Sequence, residues 1–544
     1  MKKLLRVLLL VLMPLMAAAQ VSYGRLAPLH VEGNQLKDIH GNTVVLHGVM
    51  DTPSPYFNDY RWCGWNDQYN HINDCINYFD KLFAGLTNHE DGTYCNVFRL
   101  HMDPCWTGGN TLALGFTKSG DKVYDPHGNE VGGEANVGYF DKTKYNTYLK
   151  SVYWEIAQKA LSHGLYVVVR PPGVVPGYVE VGDYYNQYLM DVWDIFSKND
   201  SILKYSGQIS IELANEPVAL RNAQGQSDPK ALHDFFQPIV DKIRANGYTG
   251  IIYAPGTGWQ SNYRDYAQYP IEGANIGYAV HDYVGWYDTS DSKYDPQNSI
   301  EKFHESVPVV DTNPIIITEV DWSPYKPGSG HYNEHGEWVE SNYGTWATGS
   351  TSKWGSAYKA VLDHFGNISM TLSGTHCFLD IDHLLETGES VPSFGGLEEA
   401  CGKACFDWYA EYAKQDYATP SFTRAWTADL GNNKYVNPIM NGDFPDCDVI
   451  RVGDTYYFVS TTMYIFPGCT MMKSKDLVNW EYCANPLLQI ADNDAYNLLN
   501  GKDHYSQGQW AASLNYHDGK FYIYFICYGR NGVDETVKVA KIMN

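Results

Sequence analysis

The sequence has 544 residues, of which 44% are hydrophobic and 19% charged, and it carries a formal net charge of −24. This length predicts more than one domain, because single hydrophobic cores stop growing near about 250–300 residues. The negative charge argues against nucleic acid and anionic membranes as partners, whereas the aromatic excess, 15% with 44 Tyr and 15 Trp, suits a surface that stacks on neutral sugar rings.

The first 19 residues are predicted to be a secretory signal peptide. The segment MKKLLRVLLLVLMPLMAAA places basic residues before an apolar run that ends in three alanines. The run is too short to span a bilayer, and no later segment approaches about 18 uninterrupted apolar residues. We therefore expect a secreted or periplasmic protein that makes no membrane contact after the signal is cleaved.

After a hairpin with predicted turns at Gly33 and Gly41, short apolar runs alternate with segments of helical length. Residues 145–164 and 231–247 carry apolar residues at helical spacing and stop at glycine, as helices do. Eight buried strands alternating with helices are typical of an α/β fold, a closed (β/α)8 TIM barrel, here within residues 22–415. An open doubly wound sheet is the alternative, although no glycine-rich phosphate turn follows the first run. The eight runs are residues 44–49, 96–101, 165–171, 209–217, 250–256, 275–283, 314–320 and 370–380.

Four polar residues stand at the carboxyl ends of predicted strands, namely Arg99, Glu216, His281 and Glu319. In a barrel these ends meet on one face, where active sites are built. Two carboxyl groups about 5–5.5 Å apart can cleave a glycosidic bond with retention, one as proton donor and the other as nucleophile. We therefore predict Glu216 as the acid/base and Glu319 as the nucleophile, with Arg99 stabilising the charge of Glu319.

The motifs FRLH, LANEP, AVHDY and IITEVDW, in this order, resemble glycoside hydrolase family five, retaining (β/α)8 enzymes that include cellulases, mannanases and some xylanases. The resemblance covers about residues 22–415. It implies the same roles for Glu216 and Glu319. It also implies that Asn215 binds the 2-hydroxyl of the sugar.

The same resemblance makes Arg99, His281 and Tyr283 supporting residues around the two acids. Each has a purely structural alternative: an ion-pair partner for Arg99, a core imidazole for His281 and a core cap for Tyr283. Trp322 is a candidate substrate contact, with ordinary packing as its alternative. The further tryptophans in or beside predicted loops, with the same two interpretations, are Trp62, Trp65, Trp106, Trp259 and Trp286.

Two positions depart from the family pattern. Arg170 follows the third strand, where family members usually carry His. Cys377 and Phe378 stand near the eighth strand, which usually supplies Trp. Both departures concern substrate contacts, so they bear on the identity of the substrate more than on the reaction.

Residues 416–434 are polar and are predicted to be a linker. Residues 435–544 contain short alternating strands separated by Gly-Asp and Asp-Gly turns, typical of antiparallel all-β folds. The stretches NPIMNGDFPDCDVIRVGDTYYF and SQGQWAASLNYHDGKFYIYF resemble glycoside hydrolase family forty-three, five-bladed propellers that act as inverting β-xylosidases and arabinofuranosidases. The resemblance implies that Asp446 is a general base in a partial propeller without the later blades. We expect this piece to be catalytically silent and the sequence to be truncated.

The 11 cysteines permit disulfides in an exported protein, and the sequence-local pairs are Cys63 with Cys75 and Cys401 with Cys405. The spacing in CGKAC differs from that of a zinc-binding CxxC pair. We expect no metal and no cofactor.

The sequence thus favours a retaining glycoside hydrolase that cleaves internal β-1,4 linkages of plant cell-wall polysaccharide. Because of the second segment we expect xylan or arabinoxylan as the substrate, with β-glucan or mannan as the alternative. A hypothesis of another class is a carbohydrate-binding protein that kept the barrel and lost catalysis. The presence of both Glu216 and Glu319 opposes it.

Overall fold

The computed structural model forms two compact units, within residues 1–420 and 421–544. The predicted signal peptide and most of the predicted linker lie outside the residues that the structure describes. The described residues are 26–39, 41–288, 295–322, 330–332, 335–340, 354–393, 401–417, 428–429, 434–440, 442–463, 465, 467–488, 494–495, 499–502, 508–528 and 536–542.

A closed barrel of eight parallel strands forms the centre of the first unit, as predicted. Each strand pairs with the next along the chain, and the eighth closes the ring against the first. Most strand residues are buried, as expected for a parallel sheet covered by helices. In chain order the strands are His47–Asp51, Val97–His101, Tyr166–Arg170, Ile209–Glu212, Ile252–Pro255, Ile276–His281, Ile315–Glu319 and Ile368–Leu372.

The barrel interior changes from apolar to polar toward its carboxyl-terminal face. Val97 and Ala279 belong to an apolar cluster of buried residues. Arg99 and His281 stand two residues further along the same strands, and alternate residues of a strand share a face. Both polar side chains are fully buried. The polar layer that the sequence placed at the strand ends is therefore a continuation of the barrel core.

The two predicted helices are present. The first comprises Lys142–Tyr148, a π-helical turn at Leu149–Tyr153, and Trp154–Ser162. The second is Ala231–Ala245, and Gly247 after it has a left-handed backbone with φ 94°. Among the described helices, none combines the length and apolar character that a membrane span requires. The other α-helices are Ile72–Leu86, Pro104–Thr107, Tyr184–Phe196, Asp200–Lys204, Thr257–Gln260, Arg264–Gln268, Pro296–Ser306, Ser356–Phe365, Thr375–Phe378, Ile381–Thr387 and Cys401–Tyr417.

The eighth strand differs from its prediction. It ends at Leu372, whereas a strand over residues 370–380 was expected, and Thr375–Phe378 is a helical turn. Pairing with the first strand stops at Leu372. The Ser373 N–H still donates to the Val320 carbonyl beyond the seventh strand, and the hydrogen bond from Cys377 N–H to the Gly374 carbonyl is local. The apolar residues that extended the predicted strand pack as part of this turn instead.

The first unit also contains short strands outside the barrel. The predicted amino-terminal hairpin is confirmed, with the turn at Gly33 between its two strands. The strands outside the barrel in the first unit are Leu29–Glu32, Gln35–Asp38, Thr117–Ser119, Lys122–Tyr124, Glu130–Val131, Val179–Glu180, Leu220–Arg221, Gly330–Tyr332 and Trp338–Glu340.

The second unit has the predicted all-β character. One antiparallel sheet has four strands, the make-up of a propeller blade, and a second sheet has three. Turns at Gly453 and at Asp518 separate consecutive strands, as the sequence indicated. The strands are Asp448–Val452, Thr455–Ser460, Thr470–Ser474, Trp480–Ala484, Gly508–His517, Lys520–Tyr528 and Thr536–Ile542.

Neither candidate disulfide is formed, because all ten cysteines whose side chains the structure describes carry free thiols. Cys401 and Cys405 lie one turn apart on the same helix. Side chains at this spacing have Cβ atoms about 5–6 Å apart, beyond the roughly 3.5–4.5 Å of a disulfide. Burial raises the pKa of the Cys63 and Cys75 thiols, which disfavours the thiolate that disulfide formation requires.

Candidate active site

Glu216 follows the fourth barrel strand by four residues and has a left-handed backbone, with φ 59°. This conformation is unfavourable for a residue with a side chain. The Glu216 backbone N–H donates to Gln260 Oε1 at 2.6 Å. Gln260 is fully buried, and its amide donates to Glu212 and to the Ala279 carbonyl. A fixed amide therefore holds the backbone from which the Glu216 side chain projects.

Glu319 is the last residue of the seventh strand, and a bulge directs its side chain. Val280 pairs with Ile317, but the next residue, His281, pairs with Glu319. Thr318 is thus one extra residue on the seventh strand. Bulges of this kind re-aim side chains beside active sites. Here the bulge brings Glu319 next to His281.

Both oxygens of Glu319 are hydrogen-bonded. Oε1 accepts from Arg99 Nη1 at 2.8 Å, and Oε2 accepts from the Tyr283 hydroxyl at 2.9 Å. Burial alone would raise the pKa of Glu319, but the charges of His281 and Arg99 and the hydrogen bond from Arg99 lower it to about 2. Glu319 is therefore an anion at neutral pH.

The two predicted acids meet at His281. Its Nδ1 lies 3.2 Å from Glu216 Oε1 and 3.5 Å from Glu319 Oε2. One oxygen of each acid and one ring nitrogen of His281 lie within 4.8 Å of one another. The Glu216 side chain is 28% exposed and that of Glu319 is 11% exposed. The two carboxyl groups thus face each other at a solvent-accessible point of the barrel mouth.

Arg99 lies at the centre of the polar layer and binds Glu212, an acid that the sequence analysis missed. Its Nε and Nη2 donate to the two oxygens of Glu212, at 2.6 and 3.0 Å. Both side chains are completely buried. Thr318 also donates to Glu212 at 3.0 Å. A buried carboxylate requires such pairing. Glu212 lies within the apolar part of the run ISIELANEP, and an acid at such a position was the sequence signal that indicated a buried ion pair.

Asn215 and Tyr283 lie where the sequence predicted, beside the two acids. Asn215 Oδ1 accepts from Arg99 Nη2 at 2.6 Å. The Tyr283 hydroxyl contacts Glu319 and also Ser373 Oγ, at 3.1 Å. Burial and the charge of Glu319 raise the pKa of Tyr283 well above its usual range. Tyr283 is therefore a neutral hydrogen-bond donor to Glu319.

Arg170 ends the third strand and extends the polar layer. Its Nη2 lies 2.9 Å from His101 Nδ1 and donates to Glu134 Oε2 at the same distance. Arg99 Nη1 lies 3.0 Å from the other ring nitrogen of His101. Burial and the charges of the two arginines lower the pKa of His101 well below its usual range. The position where the family usually has His thus carries a cation that contacts a neutral imidazole.

The structure places Trp322, a candidate substrate contact, in the core, together with the two residues that depart from the family pattern near the eighth strand. Trp322 is fully buried and packs against Trp354 and Trp408, so the expectation that it contacts substrate is wrong. Cys377 and Phe378 are also buried, in the helical turn that replaces the end of the predicted eighth strand. The Trp322 indole and the Phe378 ring therefore pack in the core beneath the loops and do not form a sugar platform.

A cavity of about 820 Å³ opens among the loops that follow the first three barrel strands. Its wall includes Tyr56, Phe57 and Trp65, which are 57%, 53% and 66% exposed. Asp103 and Glu134 supply carboxylates to the same wall. Aromatic faces combined with a few polar groups are typical of ligand sites.

Glu216, His281 and Glu319 carry the types of donor atom that metals bind, close together. Both Glu319 oxygens are already engaged by Arg99 and Tyr283, and the arginine charge repels a cation. We therefore assign these residues no metal.

Asp446, the predicted base of the second unit, lies just before the first strand of that unit. It is exposed, and its Oδ2 accepts a hydrogen bond from Thr461 at 3.1 Å. Its backbone is left-handed, with φ 48°.

Two family models match the chain. Residues 94–352 match the cellulase model of glycosyl hydrolase family 5, and residues 435–540 match glycosyl hydrolases family 43. The chain is thus similar to family 5 over much of the barrel unit and to family 43 over most of the second unit, and both are families of glycosyl hydrolases.

Similar proteins are found for each part. A beta-xylosidase from Formosa agariphila is 41% identical over 121 residues, 22% of this chain and 20% of the relative. A non-reducing end alpha-L-arabinofuranosidase from Bacteroides ovatus is 38% identical over 109 residues, 20% of each chain. The chain thus spans about a fifth of the length of these curated relatives. A solved beta-glucanase from Saccharophagus degradans is 15% identical, with a TM-score of 0.44, over 73% of this chain and 96% of that one.

Proposed function

We propose that the barrel is a retaining glycoside hydrolase that cleaves internal β-1,4 linkages of a plant cell-wall polysaccharide. One observation carries the proposal: oxygens of Glu216 and Glu319 lie within 4.8 Å of each other at the barrel mouth. Retaining enzymes place their two carboxyl groups about 5–5.5 Å apart, whereas inverting enzymes leave roughly 6.5–9.5 Å for a water molecule.

In the first step, the Glu319 carboxylate forms a bond to the anomeric carbon while the bond from that carbon to the glycosidic oxygen breaks. Glu216 donates its proton to this oxygen, so the rest of the polysaccharide leaves as an alcohol. Arg99 and Tyr283 support the role of Glu319, because their hydrogen bonds keep it ionised and fix its orientation. Its low pKa, about 2, means that it needs no deprotonation before attack.

In the second step, Glu216 accepts a proton from water, the water oxygen bonds to the anomeric carbon, and Glu319 leaves as a carboxylate. The sugar is released with its original anomeric configuration. His281 lies between the two acids and is placed to stabilise whichever one is charged. Within the described residues the amide oxygen of Asn215 is engaged by Arg99, which directs its Nδ2 group as a donor for a sugar hydroxyl.

Xylan or arabinoxylan is the proposed substrate. The support is the family 43 segment, whose relatives are named beta-xylosidase and alpha-L-arabinofuranosidase. A β-glucan is the second candidate, supported by the name of the family model that matches the barrel, cellulase. Mannan is a third polysaccharide to test. The exposed aromatic rings of the cavity, including Trp65, suit any of these neutral chains.

Residues 22–415, 416–434 and 435–544 are proposed to act as catalytic domain, linker and propeller segment. By its resemblance to family 43, Asp446 is proposed as a general base, and the inverting reaction of that family also needs a general acid on a second carboxyl group. The predicted signal peptide supports export of the enzyme to the secreted or periplasmic space.

The test is release of reducing sugar from xylan, carboxymethylcellulose and mannan by the purified chain. Proton NMR of the first product reports whether the anomeric configuration is retained. Glu319→Gln is the inactive variant, and Glu301→Gln is its matched control, an exposed glutamate on the helix Pro296–Ser306.

We expect wild type and Glu301→Gln to release sugar from one of the three polymers and Glu319→Gln to release none. Equal, negligible release by all three proteins, together with binding to a polymer, would favour the non-catalytic binding protein. An inverted first product would contradict the retaining mechanism even if sugar is released.

A further inference from the structure

Glu134 is a carboxylate in the wall of the cavity, and a buried cation holds it in place. The Glu134 side chain is 26% exposed, whereas that of Arg170, its ion-pair partner, is 5% exposed. Arg170 Nη2 donates to Glu134 Oε2 at 2.9 Å, and Arg170 Nη1 donates to the Gly173 carbonyl at 2.6 Å. Among the described residues, Arg170 is the donor to this carboxylate. A carboxylate accepts about four hydrogen bonds, so most of this capacity is open to a ligand.

The backbone of Glu134 is fixed by the loop that follows the third barrel strand. Its carbonyl accepts from the Val174 N–H at 3.2 Å. A Cβ atom at Gly173 would lie 2.2 Å from the same carbonyl, and Gly173 has φ 83°, so glycine is required for this close approach. The Val175 N–H donates in turn to the carbonyl of Asn215, the residue before the proposed acid/base, at 2.8 Å. The wall that carries Glu134 is therefore joined to the backbone of the catalytic centre.

The ion pair of Glu134 is also connected to the proposed nucleophile. Arg170 Nη2 lies 2.9 Å from one ring nitrogen of His101, and Arg99 Nη1 lies 3.0 Å from the other. Arg99 Nη1 donates to Glu319 at 2.8 Å. Glu134 thus stands at the cavity end of an unbroken row of polar contacts that begins at Glu319.

The charged side chains in the cavity wall are two acids and one lysine, which leaves a net negative charge. Asp103 is 7% exposed, and its carboxylate accepts from the Cys105 N–H at 2.7 Å. The lysine, Lys144, donates to the Gly108 carbonyl at 2.9 Å. Glu134 is therefore the more accessible anion. A fixed carboxylate in an enclosed site repels other anions, whereas hydroxyl groups donate charge-assisted hydrogen bonds to it.

We propose that Glu134 is a specificity-determining residue, which accepts hydrogen bonds from the hydroxyls of a neutral sugar residue in the cavity and excludes a sugar that carries a carboxylate. The exposed rings of Tyr56, Phe57 and Trp65 in the same wall offer apolar contact to either kind of sugar. The charge of Glu134 is what distinguishes them. The inference rests on the proposed function of the barrel and adds which substituents of the polysaccharide the enzyme accepts.

The experiment compares two derivatives of the polysaccharide that the enzyme hydrolyses. Carboxymethyl and hydroxyethyl groups, introduced to the same degree of substitution, are similar in size and differ in charge. We expect kcat/KM of the full-length wild type to be at least about tenfold lower for the carboxymethyl derivative, because of the like charge at Glu134. In Glu134→Gln the two values should differ by less than about threefold, since the amide keeps an acceptor without the charge.

Glu130→Gln is the matched control. It changes the net charge of the protein by the same amount, and Glu130 pairs with Lys122 outside the cavity wall. This variant should keep the wild-type preference. It separates the effect of the cavity from the general repulsion of an anionic polymer by a protein of net negative charge.

A second variant covers the chance that Glu134→Gln does not fold, because this change leaves Arg170 buried without its anion. The double variant Glu134→Gln/Arg170→Gln removes both charges and should lose the preference in the same way. Circular dichroism reports the folding of each protein.

Equal kcat/KM of wild type for the two derivatives would overturn the inference and leave the proposed function intact. The same holds if a folded variant without the Glu134 charge keeps the wild-type preference, or if Glu130→Gln loses it. Hydrolysis of neither the derivatives nor their parent polysaccharides by wild type would overturn the proposed function itself.

Discussion

The two units surround their acids in different ways. In the barrel, Glu319 is almost buried, and Arg99 and Tyr283 engage its two oxygens. In the second unit, Asp446 is exposed to solvent and accepts a hydrogen bond from Thr461. A carboxylate in water has its ordinary reactivity, whereas one fixed by charges and donors in a low-dielectric site is prepared for chemistry. The difference locates the proposed activity in the barrel.

Replacing the proposed acid/base should give the largest effect. Glu216→Gln removes the proton donor, and we expect hydrolysis of the preferred polysaccharide to fall by about 10³-fold or more. An aryl glycoside whose leaving group needs no proton should still form the glycosyl adduct on Glu319 at a nearly normal rate. Stopped-flow detection of the released phenol measures this step.

Asp446→Asn is the matched change in the second unit. It should leave polysaccharide hydrolysis within twofold of wild type. If Asp446→Asn lost activity as severely as Glu216→Gln, the contrast between the units would be wrong.

Breaking the buried ion pair should cost the barrel much of its stability. Glu212→Gln leaves Arg99 with half of its buried anionic partners, and we expect about 3–5 kcal/mol of destabilisation. Urea unfolding followed by tryptophan fluorescence measures it. Glu305→Gln removes exposed ion pairs with Arg264 and Lys302 and should leave the free energy of unfolding nearly unchanged. Equal changes in the free energy of unfolding of the two variants would contradict a stabilising role of the buried ion pair.

Acid should weaken the barrel through Glu319. The pKa of this group falls from an ordinary value of 4.5 to about 2 on folding. A depressed pKa contributes stability that is present above the unfolded value and is lost as the pH falls toward 2, by up to about 3 kcal/mol. Unfolding of wild type and Glu319→Gln between pH 5 and pH 2.5 tests this. The variant should lose less stability over that range, and a parallel loss would count against the assignment.

The smallest expected effect concerns the exposed aromatic wall of the cavity. Trp65→Ala should raise KM for polysaccharide about three- to tenfold with kcat nearly unchanged, because one stacking contact contributes about 1 kcal/mol. Tyr482→Ala, an equally exposed ring in the second unit, is the control and should leave both constants unchanged. A fall in kcat without a change in KM would show that Trp65 acts on the chemistry instead.

The sequence predicted the barrel well, because parallel strands covered by helices are apolar and their polar ends are conspicuous. Glu216, Glu319 and His281 were found in this way, and the structure brings them together. The end of the eighth strand was missed because a helical turn with local hydrogen bonds begins at Gly374. In so short an apolar run, periodicity does not distinguish a strand from a helical turn.

The remaining errors concern tertiary contacts. Trp322 has the residue type of a sugar platform, and only the packing of Trp354 and Trp408 around it reveals a core residue. Glu212 was overlooked although a lone acid in a buried strand demands a partner. The bulge at Thr318, which aims Glu319, leaves no composition signature at all.

The Gln260 amide accepts a hydrogen bond from the left-handed backbone of Glu216. Any design that copies this site into another scaffold must therefore include Gln260. A copy of the two glutamates without Gln260 would lack the hydrogen bond that supports the backbone of Glu216, the proposed proton donor. Residues 216 and 260 should be transferred together or not at all.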